Sequence, residues 1–361
     1  MVATLSNFIV LRPEHELDQE TILEWVAAVH AESAKEPQIG VSVLSQLRKI
    51  GLGKGKIAKR SIAIEDCLHR NWDAMEIYNT GQKKAGNGQG VRTGVFDRIA
   101  TDILTRFYPV GAPLPSQLIH VTCTGYTAPS PAQKLVSFRD AGRTTTIIHA
   151  YHMGCYASIP AIRIAQGLNG TTEIVHTEIC SIHMNPSFHT LDQLVVQSLF
   201  ADGFIKYSIS QDDRPGLKVL AVQEEVLPES LGVMTWICDD WGMKMTLSKE
   251  IPVLIVRALP TFVAELLQKA HVSGEDSLYF AIHPGGPKII EQIAQLMKLE
   301  PWQFSHSAQI LNQCGNMSSA TLPHIWKALW DDPQVPNGAK IVSLAFGPGL
   351  TLAGAVLQCK R

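Results

Sequence analysis

Two helical patterns of apolar positions mark the first part of the chain. Residues 14–33 place their apolar side chains on one side of a helical projection, which predicts an amphipathic helix. A second helix is predicted between Phe96 and Phe107, and the prolines within 109–115 end it. The glycine-rich residues 78–94 lie between the two helices and are predicted to form a loop.

From residue 118 onward, short apolar runs alternate with longer periodic segments. The short runs predict strands and the periodic segments predict helices. The predicted strands are residues 118–123, 144–150, 172–180, 204–209, 219–222, 278–282, 308–312, 341–345 and 350–357. The predicted helices are residues 156–168, 260–271, 288–297 and 322–329. This alternation is typical of an α/β protein in which helices cover buried sheets.

Two pairs of short segments repeat at one common spacing. Residues 118–125 resemble residues 279–286, and residues 154–158 resemble residues 315–319, in each case 161 positions later. A shared spacing indicates a duplicated unit. We therefore expect two pseudo-symmetric halves that together form a layered αβαβα architecture. The predicted halves are residues 1–215 and 216–361.

Length and composition indicate a large soluble protein that binds neither nucleic acid nor membrane. The chain has 361 residues, of which 45% are hydrophobic and 18% charged, and its formal net charge is −2. A nearly neutral protein has no overall field that attracts nucleic acid or anionic membranes. Its seven cysteines include no CxxC pair and no metal-ligand spacing, so we expect reduced thiols, no metal and a cytoplasmic location. The lack of a basic leader and of an apolar run of ~18 residues fits that location.

Cys155 has the sequence context of a nucleophile. It follows an apolar strand and Gly154, and it precedes the helix predicted at 156–168. Unpaired N–H groups and the helix dipole at a helix N-terminus favour a thiolate over a thiol. The alternative is that Cys155 is a small buried apolar side chain. This context alone leaves both interpretations open.

The spacing of 161 residues pairs Cys155 with Asn316 and Thr122 with His283. His283 stands in a sharp Pro-Gly-Gly loop, where an imidazole can stabilise an oxyanion or pair with a thiolate. Asn316 offers an N–H group to a carbonyl oxygen without adding charge, although asparagine at a helix start is also a common N-cap. Together, Cys155, His283 and Asn316 predict a site for acyl transfer and for stabilising the enolate of a decarboxylated malonyl group.

Six sequence blocks between residues 118 and 358 resemble the signature segments of a known family. In chain order, the blocks are VTCTGYTAPSPA, AYHMGCYAS, LVVQSLFADG, AIHPGGPKII, LNQCGNMSSAT and LAFGPGLTLAG. They are similar to segments of the type III polyketide synthases, the chalcone synthase superfamily within the thiolase fold. The first 110 residues resemble that family weakly.

The resemblance implies a thiolase-like five-layered fold, a homodimer, and a buried site reached by a tunnel for a pantetheine arm. It implies that Cys155 is the acyl-accepting nucleophile and that His283 and Asn316 hold the thioester carbonyl. No permanently bound cofactor is expected, because the substrates are thioesters of coenzyme A or of an acyl carrier protein. Further contacts are expected with substrate at Thr122, Phe346, Gly347, Pro348 and Gly349, and with the carrier at Gly285 and Gly286.

Two positions depart from the plant members of this family. Alignment on Pro186 and Ser187 puts His183 where those members carry a phenylalanine, and counting back from Pro252 puts Met245 at a second such position. Both aromatic side chains are therefore predicted to be replaced. We expect His183 either to contact substrate or to bond to backbone, and Met245 to fill space in the substrate cavity. The changes argue against a chalcone-like product and favour an aliphatic starter.

The basic segment at 47–60 carries Lys54, Lys56, Lys59 and Arg60. Cations near this position contact the phosphates of coenzyme A in the family, so Lys56, Lys59 and Arg60 are expected to do the same. Two alternatives are contact with an acidic acyl carrier protein and an ordinary solvated loop. The sequence does not separate them.

The sequence thus predicts a condensing acyltransferase. It loads an acyl group on Cys155, decarboxylates a malonyl thioester, and joins the two into a product that closes to a pyrone or a resorcinol. Two other hypotheses stay open. One is a ketosynthase or acyltransferase that takes its chains from carrier proteins and joins or transfers them once. The other is a catalytically silent dimeric subunit that shapes a partner enzyme.

Overall fold

A mixed sheet of nine strands runs through the described part of the chain. The structure is a computed structural model that describes residues 3–50, 55–273 and 278–361. The strands are β1 Thr4–Leu11, β2 His15–Asp18, β3 Lys59–Ile62, β4 Gln117–Thr122, β5 Thr146–Tyr151, β6 Thr172–Ile179, β7 Asp202–Ser210, β8 Gly216–Val226, β9 Met234–Cys238, β10 Met243–Leu247, β11 Leu278–Ile282, β12 Lys340–Gly347 and β13 Thr351–Lys360. The helices are α1 Gln19–Ala34, α2 Pro37–Ile50, α3 Gln89–Phe107, α4 Pro131–Phe138, α5 Ser158–Gln166, α6 Leu191–Leu199, α7 Ile251–Lys269, α8 Pro287–Met297, α9 Pro301–Cys314 and α10 Thr321–Asp331.

The sheet is built from two sets of strands that meet at β1 and β8. Its strand order is β11-β12-β13-β8-β1-β7-β6-β4-β5. β4 runs parallel to β6, which is antiparallel to β7, and β11 runs parallel to β12, which is antiparallel to β13. Strands β4, β6, β7 and β1 therefore correspond to β11, β12, β13 and β8, as a duplicated unit would produce. The predicted boundary between residues 215 and 216 falls directly before β8 and stays a prediction.

Neighbouring residues of these strands face two different cores. In β4, Leu118 packs with α1 and α3, whereas Ile119 packs in a central core with α5 and α10. In β12, Ile341 joins that central core, whereas Val342 packs with α7, α8 and α9. Because successive side chains of a strand point to opposite faces, each half of the sheet has helices on both sides. The result is the predicted five-layered αβαβα arrangement of a thiolase-like fold.

Residues 308–312 are helical, so the strand predicted there is wrong. They lie inside α9, whose first turn contains Pro301 and whose start is fixed by a capping box between Glu300 and Gln303. A short apolar run does not distinguish a strand from a helix segment, and the start signal upstream decides the outcome here. Among the described residues, β5 therefore has no counterpart in the second half.

Two other predicted bounds differ from the structure near the N-terminus. Residues 15–18 form β2, paired with β3, so the helix predicted at 14–33 begins only at Gln19. The loop predicted at 78–94 ends early, because α3 begins at Gln89. Local composition does not contain the partner strand or the packing that sets these limits.

Helix α7 begins at Ile251, well before the predicted start at residue 260, and Pro260 lies inside it. The helix is long and apolar enough to cross a membrane by length and composition alone. Core helices of globular domains share these properties, and α7 packs in the same core as β12 and β13. Its buried side chains are Ile251, Ile255, Leu259, Phe262, Val263 and Leu266.

Candidate active site

Cys155 lies in a tight turn between β5 and α5. The turn Gly154–Tyr156 is a short 3₁₀ helix, and Gly154 has a φ of 77°. A Cβ on Gly154 would lie 3.0 Å from Pro348, so both the backbone conformation and the close approach require glycine. Gly347 packs against the same turn. The loop that follows β12 therefore fixes the position of the thiol.

Cys155, His283 and Asn316 line one cavity of about 160 Å³, which we call the reaction cavity. His283 directly follows β11, and Asn316 lies just after α9. All three side chains are buried, with exposed fractions of 8%, 1% and 1%. The structure thus brings together the three residues that the sequence singled out, and their catalytic roles stay a proposal.

The side-chain amide of Asn316 has a fixed orientation. Its Oδ1 accepts a hydrogen bond from Ser318 N at 2.9 Å and lies 3.5 Å from Thr321 Oγ1. Asn316 is not the N-cap of either following helix, and the contact with Ser318 is a local turn. It leaves Nδ2 without a partner among the described residues. Both ring nitrogens of His283 are likewise buried without a partner there. Because unpaired buried polar groups are costly, these atoms are suited to bind a substrate carbonyl.

Burial keeps both reactive groups uncharged at neutral pH. It raises the pKa of the Cys155 thiol to about 12, although the side chains of Ser318 and Asn316 act in the opposite direction. It lowers the pKa of His283 to about 3. The rise in the pKa of Cys155 is opposite to the direction that the helix-start context predicts, because desolvation by burial is the largest cause of the shift. The site holds a thiol and a neutral imidazole.

A second cavity of about 60 Å³ also reaches the thiol, and we call it the distal cavity. Cys155, Phe200 and Met245 line both cavities. Phe200 follows α6, and its backbone forms a β-bridge with Asn316. Sequence reasoning missed Phe200, although it lies within the block LVVQSLFADG. An aromatic side chain therefore does stand beside the thiol, at a position different from the two that hold His183 and Met245.

His183 lines only the distal cavity. Both of its ring nitrogens form hydrogen bonds with backbone groups. Nε2 donates to Thr124 O at 2.7 Å, and Nδ1 accepts from Met243 N at 3.0 Å. Burial lowers the pKa of His183 to about 3, which keeps the ring neutral. Of the two roles that the sequence left open, the geometry favours the backbone-bonded one, because no ring nitrogen is left for a substrate.

Glu178, which sequence reasoning also missed, organises the wall beside the thiol. It is fully buried, and its Oε2 accepts hydrogen bonds from Cys123 N at 3.0 Å and Thr124 Oγ1 at 3.2 Å. The Cys123 thiol in turn lies 3.1 Å from Ser318 Oγ, which lies 3.8 Å from Cys155 Sγ. Burial raises the pKa of Glu178. No spacing in the sequence signals this network, because it joins three distant segments.

The other predicted contacts divide between cavity walls and supporting positions. Phe346 and Gly285 line the reaction cavity. The hydroxyl of Thr122 instead bonds to Thr124 at 3.1 Å. The predicted residues that line neither cavity are Thr122, Gly286, Gly347, Pro348 and Gly349. Within the described ranges, no group of three or more His, Cys, Asp or Glu side chains could hold a metal ion.

The cations of the basic segment do not form one surface patch. Lys54 lies outside the described residues. Lys56 is exposed and forms an ion pair with Glu291 of α8, and Lys59 is exposed on β3. Arg60 differs, because it is buried and lines the distal cavity. That position does not fit the predicted contact with a phosphate at a tunnel mouth.

Acid should destabilise this fold, because several buried histidines are neutral in it. Burial lowers the pKa of His120 and His283 to about 3 and that of His30 to about 4. A lowered folded-state pKa means that the unfolded chain binds more protons below pH 6.5, so stability falls as pH drops toward 4. Each such histidine contributes a slope of about 1.4 kcal/mol per pH unit. Melting temperatures determined between pH 8 and pH 5 measure this loss of stability.

A matched pair of variants separates this effect from general acid sensitivity. His183→Gln removes one buried histidine and should make the melting temperature depend less steeply on pH. His271→Gln removes an exposed histidine and should leave that dependence unchanged. A melting temperature that rises on acidification in the parent protein would contradict the prediction.

Comparison with known proteins shows what the chain resembles. Residues 218–360 match the family described as chalcone and stilbene synthases, C-terminal domain. A curated relative, probable polyketide synthase 1 of Dictyostelium discoideum, is 28% identical over 257 residues. The match covers 67% of this chain and 8% of the relative, so the chain spans only a small part of that protein's length.

Three solved structures share the fold over nearly the whole chain. The C-terminal type III polyketide synthase domain of Steely1 from Dictyostelium has a TM-score of 0.84 at 22% identity, covering 100% of both chains. PKS-I from the brown alga Ectocarpus siliculosus has a TM-score of 0.85 at 19% identity, covering 99% of this chain and 98% of its own. The 1,3,6,8-tetrahydroxynaphthalene synthase of Streptomyces coelicolor has a TM-score of 0.81 at 23% identity, covering 99% of both chains. The predicted resemblance is confirmed: residues 218–360 match the chalcone and stilbene synthase C-terminal domain, and the chain shares the fold of solved type III polyketide synthases.

Proposed function

We propose that the protein is a condensing acyltransferase of the polyketide synthase type. Cys155 accepts an acyl group as a thioester, and His283 and Asn316 bind the thioester carbonyl of a malonyl donor. Loss of carbon dioxide leaves an enolate at that carbonyl. The enolate attacks the acyl carbon on Cys155, which forms the carbon–carbon bond and releases the cysteine sulfur. The observation that carries the proposal is the meeting of these three side chains in one buried cavity.

The unpartnered polar atoms suit the charge that develops in this reaction. Asn316 Nδ2 and one ring nitrogen of neutral His283 can donate hydrogen bonds to the enolate oxygen, and burial strengthens such bonds. Both donors are already in place and uncharged, so they stabilise a negative charge that appears only during reaction. The remaining ring nitrogen of His283 is the acceptor available for the Cys155 proton. The departing carrier thiol takes up a proton, so the exchange is balanced.

The reaction cavity supports a route for the carrier arm. Gly285 and the start of α8 border this cavity, and Lys56 pairs with Glu291 on the same helix. We propose that the thioester reaches Cys155 along this side, with Lys56 near the carrier. Coenzyme A and an acyl carrier protein are both compatible with this route. A homodimer, a cytoplasmic location and ring closure to a pyrone or resorcinol belong to the same proposal and rest on the family resemblance.

The test is reconstitution with purified protein, acyl-coenzyme A donors and malonyl-coenzyme A. We expect release of carbon dioxide and free coenzyme A, and products that are longer than the starter by two-carbon units, identified by mass. Acylation of Cys155 by carrier-bound chains but not by coenzyme A esters would favour a carrier-dependent ketosynthase instead. No acylation of Cys155 by either donor would overturn the proposal and favour a silent subunit.

A further inference from the structure

Arg60 is a buried cation whose hydrogen-bonding capacity is only partly used. Its side chain lines the distal cavity and the residue is 3% exposed. Nη1 donates to Gln197 O at 2.7 Å and to Phe200 O at 3.0 Å. Nε and Nη2 are buried and have no partner among the described residues. A guanidinium group that leaves water without replacing its hydrogen bonds is costly.

Arg92 shows that this fold can provide an acceptor for every nitrogen of a buried guanidinium. Arg92 is 0% exposed, and its Nε donates to Asn87 O at 2.9 Å. Its Nη1 donates to Ile182 O, and its Nη2 donates to Ala85 O at 2.9 Å. All three nitrogens therefore have backbone acceptors. The free nitrogens of Arg60 are thus a local feature of the distal cavity rather than a general consequence of burying arginine.

The other polar side chains around the two cavities are satisfied. Ser181 Oγ donates to Asp202 at 2.6 Å, and Trp236 Nε1 donates to the Cys123 carbonyl at 2.7 Å. Among the described residues that line either cavity, buried side-chain nitrogen or oxygen atoms without a partner belong only to the following three: Arg60, His283 and Asn316. The free nitrogens of His283 and Asn316 suit the thioester carbonyl. Those of Arg60 therefore suit another part of the same bound molecule.

Asp202 does not neutralise Arg60 by direct contact. Its oxygens accept hydrogen bonds from Ala63 N at 2.6 Å and from Ser181 N at 2.8 Å, and no ion pair with Arg60 forms within the described residues. Burial lowers the pKa of Arg60 to about 10, so the side chain is still protonated at neutral pH. The distal cavity is therefore lined by a charged side chain that has N–H groups free for an oxygen acceptor.

The size and walls of the distal cavity limit what can bind there. At about 60 Å³, it holds roughly four to six atoms, since one water-sized group needs about 10–15 Å³. Most of its remaining wall is apolar. The apolar side chains include Ile22, Trp25, Val26, Ile62, Met184 and Val196. A short chain with an oxygen on it fits this space better than a long alkyl chain.

We propose that the distal cavity holds the acyl chain carried by Cys155 and that Arg60 binds an oxygen of that chain beyond the thioester carbonyl. This inference rests on the proposed function and names the acyl class that the site takes. That class is short chains with a keto or carboxylate oxygen, in preference to plain alkyl chains of equal length. Arg60 acts by binding alone, and no bond forms or breaks at it.

Three coenzyme A thioesters with four-carbon acyl groups test the proposal. Butyryl has no distal oxygen, acetoacetyl has a keto oxygen, and succinyl has a carboxylate. Loading of Cys155 is followed by intact mass, and kcat/KM is compared between donors. We expect the parent protein to favour acetoacetyl or succinyl over butyryl by about tenfold or more. Which of the two is favoured distinguishes a growing β-keto chain from a dicarboxylic starter.

Variants of Arg60 connect the preference to this side chain. Arg60→Met keeps the length but removes the N–H groups, so the ratio between donors should fall to near one. Arg60→Lys keeps the positive charge but replaces the planar guanidinium group by an ammonium group, so it should give an intermediate ratio between donors. Arg139→Met is the matched control, because Arg139 binds the Tyr108 and Ala112 carbonyls away from both cavities. A ratio measured within one variant does not depend on the fraction that folds.

The outcomes separate this inference from the function on which it rests. Equal use of the three donors by the parent protein, or an unchanged ratio in Arg60→Met, would overturn the role of Arg60 while leaving the condensing activity intact. Failure of every donor to acylate Cys155 would overturn the proposed function itself.

Discussion

Replacing Cys155 by alanine should abolish acyl loading and lower product formation by roughly 10³-fold or more. The reason is that the alanine variant has no sulfur to form the thioester, so the two reacting carbons are no longer held in one cavity. The Cys155 thiol also lines both the reaction cavity and the distal cavity, so no other described thiol occupies an equivalent position. Intact mass after incubation with an acyl donor, together with product assays, measures the effect.

The control is Cys314→Ala, which removes a buried thiol that lines neither cavity. We expect this variant to load an acyl group as the parent does. An acyl adduct on the Cys155→Ala protein would contradict the prediction. It would move the nucleophile to another thiol, and Cys123 is the candidate because it shares the Ser318 hydroxyl with Cys155.

Replacing Asn316 by alanine should separate decarboxylation from loading. Removing one donor to a developing oxyanion lowers kcat by about 10²–10³-fold in well-studied sites. We expect release of carbon dioxide from malonyl-coenzyme A to fall by that factor, because Nδ2 is one of the few buried donors left free in the reaction cavity. Acylation of Cys155 should fall much less, since the thiol itself is retained. Radiolabelled malonyl donor and intact mass follow the two steps.

Each Asn316→Ala preparation is its own control, because both steps are measured on the same protein. The substitution also removes the Oδ1 acceptor of Ser318 N, so the melting temperature should be determined alongside. An equal fall in both steps would show that Asn316 only supports the turn at Ser318. Such a result would contradict its role at the malonyl carbonyl.

The meeting of Cys155, His283 and Asn316 was predictable because two independent signals agree on it. The common spacing pairs the segments, and the residue types at each turn suit one reaction. The sequence also offered a signal for Phe200, because this residue lies in the block LVVQSLFADG. In the structure, its backbone forms a β-bridge with Asn316. It was overlooked because a single aromatic residue after an apolar helix does not differ, in sequence, from an ordinary core residue.

Charge states and the inside of the cavities were not predictable in this way. The helix-start context of Cys155 favours a thiolate, but its raised pKa follows from burial among side chains that come from distant segments. Arg60 belongs by sequence to a basic surface segment, and only its packing beneath Gln197 and Phe200 reveals that it is buried. Desolvation depends on tertiary packing, which local sequence does not state.

The join between the two halves bears on how the chain folds. Strand β1 is the first described strand, yet it lies at the centre of the sheet, where Thr4 faces Ser210 on one side and Lys218 on the other. Its two neighbours are synthesised much later, so β1 has to stay unpaired while most of the chain emerges. Pairings of this long range are slow to form and leave strand edges exposed in the meantime. We therefore expect the sheet to assemble late and cooperatively, once β7 and β8 are both available to pair with β1.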